Sequence, residues 1–255
     1  MELPLQQHPL FNDALRRLGR KVSVTDIPGA VPLHVIHRFG ISFAARGPIW
    51  TGTPDMDALR RNGPLTVNGD DTNDLGKAGY RQIITAAHVA EIDLTARRAP
   101  HAKWRYNLRK AQAAEIRVTT ETFSAKHHWL LDADLSQQKA KGYRALPHAI
   151  IHAYDPDNVI VLIAYKKKTP VAAMLFLCHQ PVATYHIGWS NHDGRRHCAH
   201  HLLLDLAAEY ITKQGVTRLD LGSVDTENTP GLARFKIGSG ARVRPLGGTW
   251  LRCPI

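Results

Sequence analysis

Between Arg218 and Lys236 the chain RLDLGSVDTENTPGLARFK gathers three carboxylates, Asp220, Asp225 and Glu227, and sets the cations Arg234 and Lys236 just beyond them. A carboxylate can take up or steer a proton, and an ammonium can hold an anionic group or stabilise an oxygen on which negative charge develops. Arg218 to Gly222 alternates with the period of a strand, so Asp220 stands between Leu219 and Leu221 on a half-buried element, where a carboxylate needs a partner or a purpose. Thr229-Pro230 reads as the N-cap and first-turn proline of a short helix, Pro230 to Ile237, ended by Gly238 and Gly240. Lys236 on that helix has two readings, a holder of a substrate phosphate or carboxylate and a counter-ion of Asp220 or Asp225.

A second group of candidates lies upstream. Tyr185 and His186 are neighbours on a strand, Val182 to Trp189, so one is expected on each face of the sheet and one of them in any cleft. His186 is either a base titrating near neutrality or a core histidine. The run Arg195-Arg196-His197-Cys198-Ala199-His200 precedes or opens a helix, Ala199 to Gln214, whose N-terminus with two arginines before it could hold phosphates. His192, His197, Cys198, His200 and His201 also invite a metal reading, but adjacent helical residues diverge by about 100°. No metal is therefore assigned, and these histidines are expected to face solvent or an anion. Lys103, Trp104 and Arg105 open a further helix, about Pro100 to Glu115, with Trp104, Leu108, Ala111 and Glu115 on one face and lysines and arginines on the flanks. That basic rim is either a solvated surface or a collar for a phosphate-bearing substrate.

These residues require a particular scaffold. Before the basic helix come short helices at Asn12 to Leu18, Pro54 to Arg61 and Thr72 to Ala78. Strands are read at Pro32 to Phe39, Ile41 to Arg46, Leu65 to Asn68, Gln82 to Thr85 and Glu91 to Leu94. After it come a strand from Ile116 to Thr120, helices from Ala125 to Lys141 and Pro147 to Tyr154, and three strands, Val159 to Tyr165, Val171 to Cys178 and Val182 to Trp189. The amphipathic helix then feeds the strand carrying Asp220. Strand, helix, strand implies parallel pairing across the crossover.

Composition fits an ordinary globular chain of 255 residues, 44% hydrophobic and 22% charged. With 33 Lys+Arg against 22 Asp+Glu the net charge is +11, which favours polyanionic partners such as tRNA, an acidic membrane surface or a phosphorylated substrate. Cys178, Cys198 and Cys253 form neither a disulfide framework nor a ligand spacing, which suits a reducing cytoplasm. No signal peptide or transmembrane segment is read, and peripheral contact with anionic lipid stays open.

Three blocks carry a resemblance to a known family. Asp220-Leu221-Gly222, a polar loop, Pro230-Gly231 and, three residues on, Phe235-Lys236 before a glycine-rich exit into a strand resemble the C-terminal signature of FemA/FemB-like acyltransferases, a branch of the GNAT superfamily. Lys103-Trp104-Arg105-Tyr106-Asn107-Leu108-Arg109-Lys110-Ala111 is similar to that family's basic helix, and Arg46-Gly47-Pro48-Ile49-Trp50 to one of its strand endings. The resemblance implies an α/β GNAT fold, a mixed, mostly antiparallel sheet with a splayed parallel strand pair, preceded by a smaller, degenerate GNAT-like lobe. The expected division is 1–98 for that lobe, 99–115 for the linking basic helix and 116–255 for the acyltransferase domain.

It further implies transfer of an acetyl or aminoacyl group to an amine acceptor by direct attack, with no tightly bound cofactor and with acyl-CoA or aminoacyl-tRNA as co-substrate. In acetyl-CoA-binding members the phosphate loop is built on small residues; here Cys198 and His200 occupy two of those positions, as suits a branch whose best-known members take the acyl group from aminoacyl-tRNA. On this reading Asp220, His186 and Tyr185 are catalytic, and Arg195, Arg196, Ala199 and His200 hold the donor. Lys103, Trp104, Arg105, Asp225 and Lys236 hold the substrate. The alternative from another class is a non-catalytic GNAT-like module that binds RNA or an anionic membrane.

Overall fold

The computed structural model describes residues 1–252. Cys253, the third cysteine, lies outside the described residues; Cys178 and Cys198 are free thiols. Two compact units emerge, one of Leu3–Val89 with the chain from Arg244 onward, the other of Met1–Glu2 with Ala90–Val243. Their bounds differ from the sequential division expected, because the end of the chain pairs into the sheet of the first unit and the basic helix belongs to the second.

The first unit runs α1 (Pro9–Arg17), β1 (Lys21–Thr25), β2 (Leu33–Arg38), β3 (Ile41–Ala45), α2 (Met56–Asn62), β4 (Thr66–Gly69) and β5 (Tyr80–Ile84), with β13 (Gly248–Arg252) added from the far end of the chain. Its sheet has the order β1-β2-β3-β4-β13-β5, with β3 and β4 parallel. β13 lies antiparallel between β4 and β5. Leu33, Val35, Ala44, Leu59, Val67 and Tyr80 form its core. The Arg46-Gly47-Pro48 ending closes β3 with a cis Gly47-Pro48 bond, and the buried Arg46 guanidinium pairs with Asp70, which Arg244 also meets at 3.0 Å.

The second unit contains α3 (Ala102–Gln112), β7 (Ile116–Thr122), α4 (His128–Lys141), α5 (Ala149–Ala153), β8 (Val159–Lys166), β9 (Thr169–His179), β10 (Val182–Ser190), α6 (His192–Arg196), α7 (Ala199–Lys213), β11 (Arg218–Val224) and α8 (Pro230–Gly238). With β6 (His88–Asp93) and β12 (Arg242–Pro245), where the chain passes between units, its strands take the order β12-β6-β11-β10-β9-β8-β7. β8 and β9 are near-continuous apolar runs because both their faces are covered. Ile160, Leu162, Met174 and Phe176 pack on Leu203, Leu204, Ala207 and Ile211 of α7, the inward stripe of an amphipathic helix.

β7 to β10 form an antiparallel meander, and β10 and β11, either side of α7, are parallel. That pairing spans only Val182–Thr184 against Arg218–Asp220, although β10 continues to Ser190 and β11 to Val224. Beyond Thr184 and Asp220 the strands part, which is the mixed GNAT architecture expected. No helix among the described residues is long and apolar enough to cross a membrane.

Candidate functional site

The last pair before the strands separate is Thr184 with Asp220, so Asp220 on β11 and Tyr185 and His186 on β10 sit at the same level of the opening. Asp220 is buried with Leu219 and Leu221, and its Oδ1 accepts a hydrogen bond from the Gly222 amide at 2.7 Å. Gly222 makes this turn at φ +76°, a left-handed conformation that costs glycine little. Lys236, one turn from the end of α8, is buried as well. Its Nζ donates to the Ser223 carbonyl at 2.7 Å. Burial pushes the ammonium down to about 8, against the opposing pull of the Asp220 carboxylate. The pairing of Lys236 with Asp220 rather than Asp225 follows from the loop: Asp225 accepts from the amides of Asn228 and Glu227 and from the Asn228 side chain, which holds its carboxyl below the usual range.

His186 occupies a β-bulge. β10 and β9 are in register at Tyr185 with Phe176 and again at Ile187 with Leu175, so His186 is the extra residue. A bulge breaks strict alternation and leaves the extra residue's backbone out of the ladder, and the expected split of Tyr185 and His186 to opposite faces does not describe this strand. Both side chains feel the Asp134 carboxylate. Burial holds the His186 ring down to about 4, with Asp134 raising and His148 lowering it, instead of near neutrality. Its Nε2 is buried without a hydrogen-bond partner. The Tyr185 phenol is raised above its ordinary value by burial and by Tyr143 and Asp134. Its hydroxyl lies over Gly188, where a Cβ would come within 1.7 Å of it.

Asp134 was not among the residues singled out by pattern. It is buried on the inner face of α4 beside Leu130 and Leu131, and its Oδ2 receives His148 Nε2 at 2.8 Å and Gln138 Nε2 at 2.6 Å. Gln137 donates to the Tyr143 hydroxyl and to the Gly188 carbonyl, both at 3.1 Å, tying α4 to β10. The available signal was a carboxylate at the i+3 and i+4 positions of two inward leucines.

The donor-side candidates separate on inspection. Arg195 and Arg196 are not in a loop but in α6, capped by Asn191 and admitted against β9 by Gly194, whose missing Cβ would collide with the Val171 carbonyl at 2.1 Å. Arg195 donates back to the Ser190 carbonyl at 2.6 Å, and Arg196 is exposed. Cys198, just before α7, has φ +57° and supplies no side-chain cap. Ala199 is fully buried. His200 bonds the Trp189 carbonyl at 2.9 Å, and burial lowers it. His201 packs between Trp104, tilted at 5.1 Å, and Phe235, edge-on at 5.2 Å, and is pushed down by burial to about 4. These two histidines therefore turn inward as neutral packing groups, not toward solvent or an anion as expected. His197 meets Lys166 Nζ at 2.7 Å and is lowered by burial, then by Lys166, Arg196 and Lys110. Cations from the end of β8, from α6 and from α3 thus act together on His197, just before α7.

Of the α3 candidates, Trp104 is buried against Phe235, 6.4 Å between rings, and against Gly238, so it joins α3 to the helix of Lys236. Lys103 and Arg105 are exposed. Lys103 lies 4.9 Å over the Tyr106 ring and Arg105 donates to the Pro100 carbonyl at 2.6 Å. Among the described residues no cluster of histidine, cysteine, aspartate or glutamate suited to a metal ion is found.

Comparison with known proteins bears on the fold that carries these residues. The crystal structure of FemX superposes with a TM-score of 0.72 at 10% identity, covering 98% of this chain and 96% of that one. The C-terminal domain of a putative lysylphosphatidylglycerol synthetase from Agrobacterium fabrum gives 0.65 at 13%, covering 98% and 88%. L-PGS from Bacillus licheniformis gives 0.61 at 12%, covering 99% and 94%. At such identities the likeness is one of fold. No curated protein sequence matches significantly. Residues 97–236, more than half of the chain, match the model of the acetyltransferase (GNAT) domain, and the chain belongs to that family of acyltransferases.

Proposed function

We propose that this acyltransferase moves an aminoacyl group from aminoacyl-tRNA to an amine acceptor, by direct attack of the amine in a ternary complex. The observation that carries the choice of donor is the start of α7. The compact, small-residue loop that wraps a pyrophosphate is replaced by Cys198 in a left-handed conformation and by His200 bonded inward. Cations on three elements, Lys110, Lys166 and Arg196, act together on His197 just before it instead. A spread of charge of this kind suits a nucleic-acid backbone better than one pyrophosphate. The fold likeness to a protein named for making lysylphosphatidylglycerol, an aminoacylated lipid, supports the same class.

In this reading the amine nitrogen attacks the carbonyl carbon between β10 and β11. A C–N bond forms, the ester C–O bond to the tRNA ribose breaks, and the leaving oxygen takes a proton. The unpaired backbone of the bulge at His186 and the Tyr185 hydroxyl, kept protonated by burial, are donors to the carbonyl oxygen. Lys236 supplies positive charge close by, and Asp220, tied to Gly222, positions it. His186, neutral across the physiological range, accepts the amine proton at Nε2 and releases it readily, a relay for protons. Arg195 and Arg196 act at the donor's phosphates, and Lys103 and Arg105 at an anionic group of the acceptor.

A thermal-shift titration tests the donor. A ligand bound only by the folded state stabilises it by about 2.7 kcal/mol at a hundredfold excess over Kd. Bulk aminoacyl-tRNA is expected to raise Tm and acetyl-CoA to leave it unchanged; the reverse pattern would overturn the choice of donor.

A further inference from the structure

The first unit carries a surface feature that the transfer chemistry does not use. β2 and β3 are joined by the two residues Phe39 and Gly40, with Arg38 and Ile41 as the flanking pair. Both loop residues have positive φ, +49° and +76°, the two-residue hairpin turn that normally takes Asn-Gly because L side chains resist that conformation. Here the first position holds a phenylalanine that is 88% exposed. Local conformation disfavours it and the core gains nothing from it. Its one neighbour of note is the Arg38 guanidinium, 4.8 Å above the ring, and Ile41 beside it is 49% exposed.

Register gathers cations at this same end of the sheet. Lys21 pairs opposite His37, which brings Arg20 and Lys21 beside the turn. β4 runs parallel to β3, so its start, and with it Arg60 and Arg61 in the last turn of α2, faces the same way. Arg81 enters β5 opposite Leu251 at that end as well. All six, counting Arg38, are exposed. Asp26 follows the far end of β1, Asp55 caps the far end of α2, and Asp70 follows the far end of β4, whereas Asp57 lies one turn from Arg60 and Arg61 on α2 and Asp74 caps the short turn before β5, so the cations outnumber the acids at this end without excluding them. Asp13, near the basic end, is already paired with Arg16 at 2.7 Å.

We propose that this end of the first unit docks on an anionic lipid bilayer, with Phe39 and Ile41 entering the headgroup layer and the surrounding cations meeting lipid phosphates. An apolar tip ringed by arginine and lysine matches the interface in both polarity and charge. RNA is the weaker match, because one face of the single aromatic ring is covered by Arg38 and its exposed neighbour is aliphatic, so successive bases find no stacking platform.

The test is sedimentation of the full chain with vesicles of phosphatidylcholine alone and of phosphatidylcholine with a third phosphatidylglycerol, at low and high salt. Binding is expected only to the anionic vesicles and is expected to weaken with salt. Phe39→Asn, whose side chain tolerates the turn, is expected to bind about fivefold or more weakly while Tm stays level or rises. Lys21→Gln with Arg38→Gln is expected to weaken binding to the anionic vesicles by about tenfold or more. Equal binding by wild type and Phe39→Asn would overturn the proposal, and so would no vesicle binding beside tight, Phe39-dependent binding of bulk tRNA.

Discussion

Lys236 is the residue whose charge state the working pH range reaches. Its ammonium is held by burial to about 8, against an ordinary lysine value of 10.5, so it is protonated at pH 7 and loses its proton only slightly above. If its charge serves the reaction, kcat/KM falls as pH rises through about 8, and Lys236→Met both lowers kcat/KM by about a hundredfold and removes that fall. A rate that rises through the same region would make the neutral amine the active form. His186 gives the opposite signature. Burial keeps it neutral down to about 4, so the pH–rate profile should show no inflection near the ordinary histidine value, and His186→Gln should leave the shape of the profile between pH 6 and about 8 unchanged while lowering its height. An inflection near 6.5 that disappears in that variant would contradict the burial assigned to the ring. The half-buried strand setting of Asp220 and the proline-started helix of Lys236 could be read from the chain because two leucines and a proline beside them mark those elements. Asp134 and the inward turn of His200 could not, since their partners, His148 and the Trp189 carbonyl, are brought by folding.

Among the elements, the strands with a strong local pattern were legible. β8 and β9 are apolar runs, α7 has its periodic leucines, and the parallel pairing of β10 with β11 follows from the helix between them. The edge strand β1 was not, because its burial is partial and it gains its place only by pairing with β2. α6 has no mark in the sequence, because a helix of five residues has no period to detect. The bulge at His186 depends on the register against β9 and has no sequence mark. α7 carries a strained start, Cys198 at φ +57°. A non-glycine residue in that region costs about 1–2 kcal/mol. Cys198→Gly is therefore expected to raise stability by about 1 kcal/mol, read as an increased denaturant midpoint with unchanged m. A fall in the midpoint would mean that the thiol's packing outweighs the strain.

At the scale of the whole chain, the fold class was reached from three short blocks, and the structure places two of them together: Trp104 of α3 packs on Phe235 of α8, beside Lys236. The third, at Arg46, works within the first unit, where it is fixed by Asp70. What the chain did not disclose is that its last strand returns to that unit, a pairing across about 180 residues between Asn68 and Thr249. The charge of +11 is legible at once, and only the fold shows cations gathering near the start of α7 and at the Phe39 end of the first sheet.

The central claim is that transfer from aminoacyl-tRNA occurs where β10 and β11 part. It is tested most directly by following amine-dependent discharge of radiolabelled bulk aminoacyl-tRNA by the wild type and by Lys236→Met, with thiol release from acetyl-CoA measured alongside. The expected result is discharge by the wild type, at least about tenfold slower in the variant, with no thiol release. Equal discharge by both proteins would remove the reaction from this opening. Thiol release without discharge would make the enzyme an N-acyltransferase that takes its acyl group from acyl-CoA.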